Sequence, residues 1–426
     1  MVDLVFDSQY LPMRNSFSRE RTEIEVAHTP AGEVDYIYVV DQLLAVDRGD
    51  NIDLLQRKLP GVHPAERRDI GDLGDLPLPG NLVVLSIDAL DEGRMTVPEA
   101  LDLLDERLGD DNPALHDDGV PLATPVHVMH TAKLCAASEP AVPCGSPPRP
   151  CPPPSCAEEG GHGVRLGISD TGLVLDLNLG LCPWMAGVAG EEDPLGPLLP
   201  SGLWHIPYDA GHGTFVAGIA RCMAPGATVY VGNHFPKSGG ELEHVVVSRI
   251  EQLIAAQAPD LVNLSAGTYT RKNWPLLSFS EFRQRHGDIP LVAAAGNDST
   301  DRKFWPAASP LPSTIAVGAL GADYQNLAYF SNYGPWVDVY APGEGLVNAF
   351  ATGDYTYQEP PKRPARQIFR GIARCDGTSG SAPLVAGLIA AEMSRTGHPA
   401  PDAVNEVLQA AAARAIGGIG PVLFPQ

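Results

Sequence analysis

The sequence is poor in positive charge. Its 426 residues hold 29 Lys and Arg against 52 Asp and Glu, which gives a formal net charge of −23 at pH 7. Binding to nucleic acid and docking on anionic lipid both depend on clustered cationic side chains. The composition therefore argues against a nucleic-acid partner and against a membrane surface.

Long hydrophobic runs are also missing. No stretch approaches the ~18 consecutive apolar residues that a membrane helix needs. Asp3 and Asp7 interrupt the N-terminus, and no apolar core led by Lys or Arg follows them, unlike a secretory signal. We therefore expect a soluble, cytoplasmic protein.

The cysteines lack the spacing of a structural zinc site. None of the seven forms a C-x-x-C pair, and four of them lie among prolines, namely Cys135, Cys144, Cys151 and Cys156. Wide spacing of this kind is not typical of zinc binding, although His127 and His130 lie nearby. A metal site and a linker disulfide stay open, and free thiols are expected in a reducing cytosol.

The negative charge is concentrated at one end of the chain. Residues 1–120 hold 26 acidic and 10 basic side chains, a net charge of −16, whereas the other 306 residues carry only −7. Such asymmetry suggests two units with different roles, which the length of the chain also favours.

The first unit is predicted from alternating strand and helix patterns. Residues 1–34 are polar with few periodic signals, and we interpret them as an N-terminal extension. The following patterns indicate strands at 36–46, near Ile70, at 81–87 and at 126–129, with helices at 53–58 and 96–108. The order β-α-β-β-α-β predicts a small ferredoxin-like α+β domain over residues 35–130.

A proline-rich connector follows at residues 131–162. Eight prolines lie between positions 140 and 154. Proline removes a backbone donor and fixes φ, so this segment is predicted to be extended rather than helical or within a sheet.

Residues 163–426 show the pattern of a doubly wound α/β domain. Short apolar strands are predicted at 164–169, 228–232, 260–265, 290–295 and 314–318, with helices at 212–223, 241–258 and 379–396. This alternation predicts a mostly parallel sheet with helices on both faces. Functional residues of such folds lie at the carboxyl ends of the strands.

Three residues in this domain point to nucleophilic catalysis. Asp170 ends the first strand, His212 opens a helix of small residues, and Ser379 lies at the start of another helix. Each alone also fits an ordinary helix cap or packing residue. A helix N-terminus, however, can stabilise an oxyanion beside a nucleophilic serine. The order Asp, His, Ser is that of one class of serine-protease triad.

The motifs around these residues resemble those of the subtilisin-like serine peptidases, the subtilase family. Asp-Thr-Gly begins at Asp170, His-Gly-Thr-x-Val-Ala-Gly at His212, and Gly-Thr-Ser-x-x-x-Pro at Gly377. The resemblance covers residues 163–426. It implies a subtilisin-like fold and a serine endopeptidase with Asp170, His212 and Ser379 as its catalytic triad.

The resemblance also implies the rest of the site. Asn297 and the N–H of Ser379 would form the oxyanion hole. The predicted substrate-binding residues are Ser265, Ala266, Gly267, Ala294, Ala295 and Gly296. The small lining at 293–296 suggests a specificity pocket open to medium or large apolar side chains. No cofactor is expected. Relatives often bind calcium, but no acidic cluster here matches a site, so no metal ligand is predicted.

The first unit gains a role from the same resemblance. Subtilases often carry a propeptide of this element order, which assists folding and occupies the active-site cleft. Residues 35–130 are thus expected to act as intramolecular inhibitor and chaperone, with self-cleavage between about 120 and 160. An unrelated accessory or partner-binding domain remains an alternative.

Two other functions stay open. The same acyl-enzyme could serve a leader peptidase or macrocyclase dedicated to one peptide, which the lack of an export signal motivates. A peptide-binding pseudoprotease would need a lost triad residue or a lost oxyanion Asn, and neither is lost.

Overall fold

The N-terminal part of the chain forms a small α+β unit. The computed structural model describes residues 4–87, 95–109, 120–131, 139–144, 149–359 and 364–425. The elements of the first unit are α1 (Leu4–Arg19), β1 (Ile24–His28), β2 (Val34–Val46), α2 (Asn51–Lys58), β3 (Val62–Pro64), β4 (Leu82–Ile87), α3 (Val97–Leu108) and β5 (Ala123–Thr131). The strands pair antiparallel in the order β5-β2-β4-β3. The elements from β2 to β5 thus follow the ferredoxin-like order.

Two sequence-based expectations for this unit were wrong. No strand forms at Ile70, because Arg67–Asp69, directly before it, form a short 3-10 helix. The corresponding strand is β3, which lies earlier in the chain. Residues 1–34 are more than a polar extension, since they contain α1 and β1, and β1 pairs with β2. Helix α1 buries only a narrow stripe that includes Met13 and Phe17, which is too short a pattern to recognise in the sequence.

The second unit is built on one parallel sheet. Its elements are β6 (Arg165–Asp170), β7 (Ala189–Gly190), β8 (His205–Ile206), α4 (His212–Met223), β9 (Thr228–Asn233), β10 (Gly240–Leu242), α5 (Glu243–Gln257), β11 (Leu261–Leu264), β12 (Ala266–Gly267), α6 (Leu277–Arg285), β13 (Leu291–Ala294), β14 (Thr314–Leu320), β15 (Val339–Pro342), β16 (Leu346–Thr356), β17 (Arg366–Cys375), α7 (Thr378–Thr396) and α8 (Ala400–Ala412). Seven strands pair in parallel in the order β15-β14-β13-β11-β6-β9-β7. The predicted doubly wound α/β fold, preceded by a small α+β unit, is confirmed.

Strand β5 belongs to both units. Its first residues pair with β2, and its last residues pair antiparallel with β10 and with β12. His130 lies opposite Gly267, and Thr131 lies opposite Ala266. One hydrophobic cluster likewise joins α1, β2 and β4 to Leu242 and its neighbours in the second unit. The N-terminal unit is therefore held by a shared sheet as well as by side-chain packing.

The described part of the connector lies along the second unit as extended chain at first and forms turns at residues 158–162. Ala141 pairs antiparallel with Arg374, and Cys151 pairs antiparallel with Val347. Part of the predicted connector, residues 132–138 and 145–148, lies outside the described residues. Within the described ranges no helix is both long and apolar enough to cross a membrane.

Ion pairs between the units mostly join acidic side chains of the first to basic side chains of the second. Arg271 contacts Asp102 and lies 2.7 Å from Asp105, which also lies 2.7 Å from Lys272. Further pairs are Arg302 with Asp35, Arg249 with Asp72 and Lys237 with Glu20, and Arg48 with Glu281 is the reverse case. Some of the negative charge of the first unit thus faces cations of the second.

Removing the acidic partners of Arg271 should loosen the N-terminal unit. The Arg271 side chain is only 5% exposed, so the double variant Asp102→Ala/Asp105→Ala leaves a buried cation without these partners, at a cost of about 1–3 kcal/mol. Backbone hydrogen exchange in β5 is then expected to accelerate about tenfold or more. Glu106→Ala, an exposed acidic position on the same helix, is the matched control. Equal exchange in both variants would show that this contact does not hold the unit.

Candidate active site

The residues predicted to carry chemistry lie at one edge of the parallel sheet. Asp170 ends β6, Ser265 follows β11, and Asn297 follows β13. Helix α4 begins at His212, and Ser379 is the second residue of α7. All five positions lie at the carboxyl edge of the sheet or at helix N-termini that meet it, as the α/β fold predicts.

Asp170 and His212 form a buried pair. Nδ1 of His212 lies 2.5 Å from Oδ1 of Asp170, so the imidazole N–H donates to the carboxylate. Oδ1 also accepts the backbone N–H of Thr171 at 2.8 Å. The side chain of His212 is 2% exposed and that of Asp170 is 0% exposed. Nε2 of His212 has no hydrogen-bond partner among the described residues. The pair fixes one imidazole nitrogen and leaves the other as a proton acceptor.

A glycine lets the two loops of this pair meet. A methyl group on Gly213 would overlap the carbonyl oxygen of Gly172, so only glycine allows the first turn of α4 to lie against the loop after β6. Gly218 faces the side chain of Asn348 instead of another backbone. Of these two glycines, only Gly213 lies against another backbone segment.

Asp193 connects the same two loops and was not found by sequence reasoning. Its Oδ2 accepts the Thr171 hydroxyl at 2.9 Å and the Gly211 N–H at 2.7 Å. Burial, with the charge of Asp209 nearby, raises the pKa of Asp193 well above its usual range. Asp193 lies in an irregular loop outside every motif, so only the folded structure identifies it.

His234 directly follows β9, the strand that pairs with β6, and contacts Ser169 and Asp170 at the end of β6. Its Nδ1 lies 2.8 Å from the Ser169 hydroxyl, and its backbone N–H donates to the carbonyl of Asp170 at 2.7 Å. Burial, followed by the charge of Arg249, lowers the pKa of His234 to about 3. The imidazole is therefore neutral at physiological pH and ties together the ends of β6 and β9.

Ser379 is buried at the N-terminus of α7 and is only 1% exposed. The hydroxyl of Ser265 donates to the carbonyl of Ser379 at 2.9 Å and accepts from the side-chain amide of Asn263 at 3.0 Å. Ser379 Oγ has no hydrogen-bond partner among the described residues. Ser265, a predicted substrate-binding residue, thus contributes a side chain that contacts the backbone of Ser379.

Thr378 orients the predicted oxyanion residue. Oδ1 of Asn297 accepts the backbone N–H of Thr378 at 2.9 Å and its hydroxyl at 2.8 Å. The Gly296 N–H donates to the same hydroxyl at 3.2 Å. Because the amide is planar, these bonds turn its NH2 group away from Thr378. Ala294 and Ala295 are buried beside this turn, at the end of β13.

The predicted substrate strand already pairs with a peptide, which is the chain's own. Ala266 and Gly267 form β12, whose antiparallel partners are Thr131 and His130 of β5. On the opposite edge of β5, the N–H of Thr131 donates to the carbonyl of Gly239 at 2.8 Å. Strand β5 therefore lies between β10 and β12, and Ser265, which directly precedes β12, contacts Ser379.

The described ranges contain no group of three or more His, Cys, Asp or Glu side chains that could hold a metal ion. The linker cysteines that the structure describes, Cys144, Cys151 and Cys156, are thiols without a disulfide. Cys135 lies outside the described residues.

Comparison with known proteins identifies a family. The model of a family described as the subtilase family matches residues 161–421. A thermophilic serine proteinase of Bacillus sp. (strain AK1) is 33% identical over 190 residues, which are 42% of this chain and 41% of that protein. A subtilisin-like protease 2 of Arthroderma otae is 28% identical over 258 residues, 58% of this chain and 54% of that protein.

A solved structure supports the fold. Fervidolysin from Fervidobacterium pennivorans, a keratinolytic enzyme related to subtilisin, aligns with a TM-score of 0.55 at 18% identity. The alignment covers 91% of this chain and 60% of that structure. The chain spans about half the length of the curated relatives it matches.

His234 predicts a pH dependence of stability. The unfolded chain binds a proton at this histidine below about pH 6.5, whereas the folded chain does so only below about pH 3. Between these values the unfolded state binds more protons, so this group lowers the free energy of unfolding as the pH falls. The test compares two proteins that both carry Ser379→Ala. The parent keeps His234, and the variant carries His234→Asn, which leaves a polar group near Ser169 that cannot titrate.

Chemical denaturation at pH 7 and pH 5 measures this effect. The parent is expected to lose roughly 2 kcal/mol more than the His234→Asn variant between these two pH values. Equal losses in the two proteins would contradict the assignment of a neutral, buried His234.

Proposed function

The chain belongs to the subtilase family, and we propose that it is a serine endopeptidase that hydrolyses peptide bonds through an acyl-enzyme. The observation that carries the proposal is the buried Asp170–His212 pair at the edge of the sheet where α7 begins with Thr378 and Ser379. A serine hydroxyl is a weak nucleophile unless a neighbouring base removes its proton. His212 Nε2 is the available base, since its Nδ1–H is held by Asp170.

The proposed reaction uses each of these groups in turn. Ser379 Oγ attacks the carbonyl carbon of the scissile bond while His212 Nε2 takes its proton. Asp170 stabilises the resulting imidazolium, which then protonates the leaving amine. Water attacks the acyl-enzyme by the reverse proton path. The NH2 group of Asn297 and the backbone N–H of Ser379 would donate to the oxyanion, where helix α7 adds its positive end.

The N-terminal unit is proposed to be an intramolecular inhibitor of this site. Strand β5 pairs with β10 and β12 in the way that an extended substrate would pair, by strand addition. Burial of Ser379 and His212 supports the proposal, since a closed site cannot take a second peptide. Docking through a shared sheet also supports a role in assisting folding of the second unit.

Helix α1 strengthens this inhibition by covering β5. The side-chain amide of Gln9 donates to the carbonyl of Thr131 at 3.4 Å, and the Ser16 hydroxyl lies 3.1 Å from that of Ser238. Gln9 and Thr131 line one small cavity together with His212. Release of β5 therefore requires α1 to leave as well. Residues 1–34, which were interpreted from the sequence as an extension, thus help to control access to the site.

Self-cleavage is proposed between Thr131 and Glu139. Both residues line the cavity that contains His212, so the chain lies close to His212 on either side of this interval. This range lies within the broader interval of about 120–160 expected from the sequence. Cleavage there would separate most of the acidic N-terminal unit from the less acidic peptidase unit.

Purified protein incubated under assay conditions tests the proposed function. The wild type is expected to yield a fragment that begins within residues 132–139, as read by gel and intact mass spectrometry, whereas Ser379→Ala stays full length. Ser381→Ala is the matched control, because its hydroxyl bonds the carbonyls of Ala341 and Pro342 instead of lying unpaired in the site. Full-length wild type, or equal cleavage in Ser379→Ala, would refute self-processing by this serine.

A further inference from the structure

An aromatic side chain lies between the two backbone segments that border the reacting position. The segments are β12, which pairs with β5, and the turn that follows β13. A methyl group on Gly267 of the first would overlap Cε1 of Phe304. A methyl group on Gly296 of the second would lie 3.0 Å from Cγ of the same ring. The ring therefore spans the gap between the two glycines, and it is only 1% exposed.

Phe304 is held firmly in this position. Its ring meets Tyr269 edge to face, with ring centres 5.3 Å apart. The Tyr269 hydroxyl donates to Asp298 at 2.7 Å and accepts from the side-chain amide of Asn332 at 3.1 Å. The next residue, Trp305, exchanges two backbone hydrogen bonds of 2.8 Å with Thr268. Moving the ring aside would disturb this network, so the gap cannot open at low cost.

The register of β5 shows which substrate side chain would face Phe304. His130 lies opposite Gly267, and its ring meets Phe304 edge to face at 5.9 Å between centres. Side chains alternate along a strand, so residues two positions apart share a face. A substrate residue two positions beyond the one that pairs with Gly267 would therefore face Phe304.

We propose that Phe304 fills the pocket for the side chain on the N-terminal side of the scissile bond, so that the enzyme cleaves after small residues such as Ala, Gly and Ser. The proposal rests on the proposed peptidase function and names its substrate class. It replaces the sequence-based expectation of a pocket open to medium or large apolar side chains. Ala294, Ala295 and Gly296 do have small side chains or none, but the ring of Phe304 lies directly against Gly296.

A peptide series tests the proposal. Self-processed wild type is assayed on peptides that differ only in the residue before the cleaved bond, which is Ala, Leu or Phe. An excluded side chain costs about 10- to 200-fold in kcat/KM even for a single misfit methylene, so Ala is expected to exceed Phe by about 100-fold or more. Phe304→Ala should remove the obstruction and reverse the preference in favour of Leu and Phe.

Two further variants complete the test, one as a milder change at Phe304 and one as a control. Phe304→Leu is the milder change and should shift the Ala-to-Leu ratio in the same direction even if the alanine variant folds poorly. Phe369→Leu alters an equally buried phenylalanine on β17 and should leave the ratio unchanged.

A wild-type preference for Leu or Phe would overturn the proposal, and so would an unchanged ratio in both Phe304 variants. Hydrolysis that depends on Ser379 but favours large residues would leave the peptidase function standing. No hydrolysis of any peptide by the folded, processed wild type would overturn the function and the specificity together.

Discussion

The pairing of β5 with strands of both units is the constraint on which the rest of the structure depends. One end of this strand completes the antiparallel sheet of the N-terminal unit, and the other end lies between β10 and β12 beside the active-site residues. A one-residue slip would turn every side chain of β5 to the opposite face, so the register is strongly specified by the cores it contributes to. The position of the N-terminal unit, the closure of the site and the direction of each peptide side chain all follow from it.

The site itself is held by buried polar groups that link separate loops. Asp193 ties the Asp170 loop to the His212 helix, and Thr378 ties Asn297 to the start of α7. Hydrogen bonds in a buried environment are costly to break, so such links fix the geometry of a site before a substrate arrives. The same rigidity extends to Phe304, which is why a single aromatic ring can determine what the cleft accepts.

Sequence reasoning predicted the parts of this arrangement that rest on local patterns. Apolar strand runs and the motifs around Asp170, His212 and Ser379 indicated the parallel sheet and the chemistry at its edge. The order of elements from β2 to β5 in the first unit was also predicted from such patterns. The wrong and missing parts depend on contacts distant in sequence. Helix α1 has few buried apolar side chains, and these pack in a cluster with residues of both units.

Asp193 and Phe304 show the same limit within the site. Both lie in irregular segments outside any motif, and both act by filling space or accepting hydrogen bonds from residues far along the chain. The small residues at 293–296 suggested an open pocket, because sequence alone does not show which side chain packs against them. Whether a polar or aromatic side chain is buried against a functional loop depends on the tertiary structure, so only the folded structure shows it.

Labelling with an alkyl fluorophosphonate, followed by peptide mass spectrometry, tests the central claim most directly. The claim is that Ser379 is a nucleophile activated by His212 and closed off by the chain's own β5. The account predicts an adduct on Ser379 of the self-processed wild type, a slower reaction while residues 1–131 remain bound, and no adduct in His212→Ala. Failure of the folded, processed wild type to react, or equal labelling of His212→Ala, would contradict it.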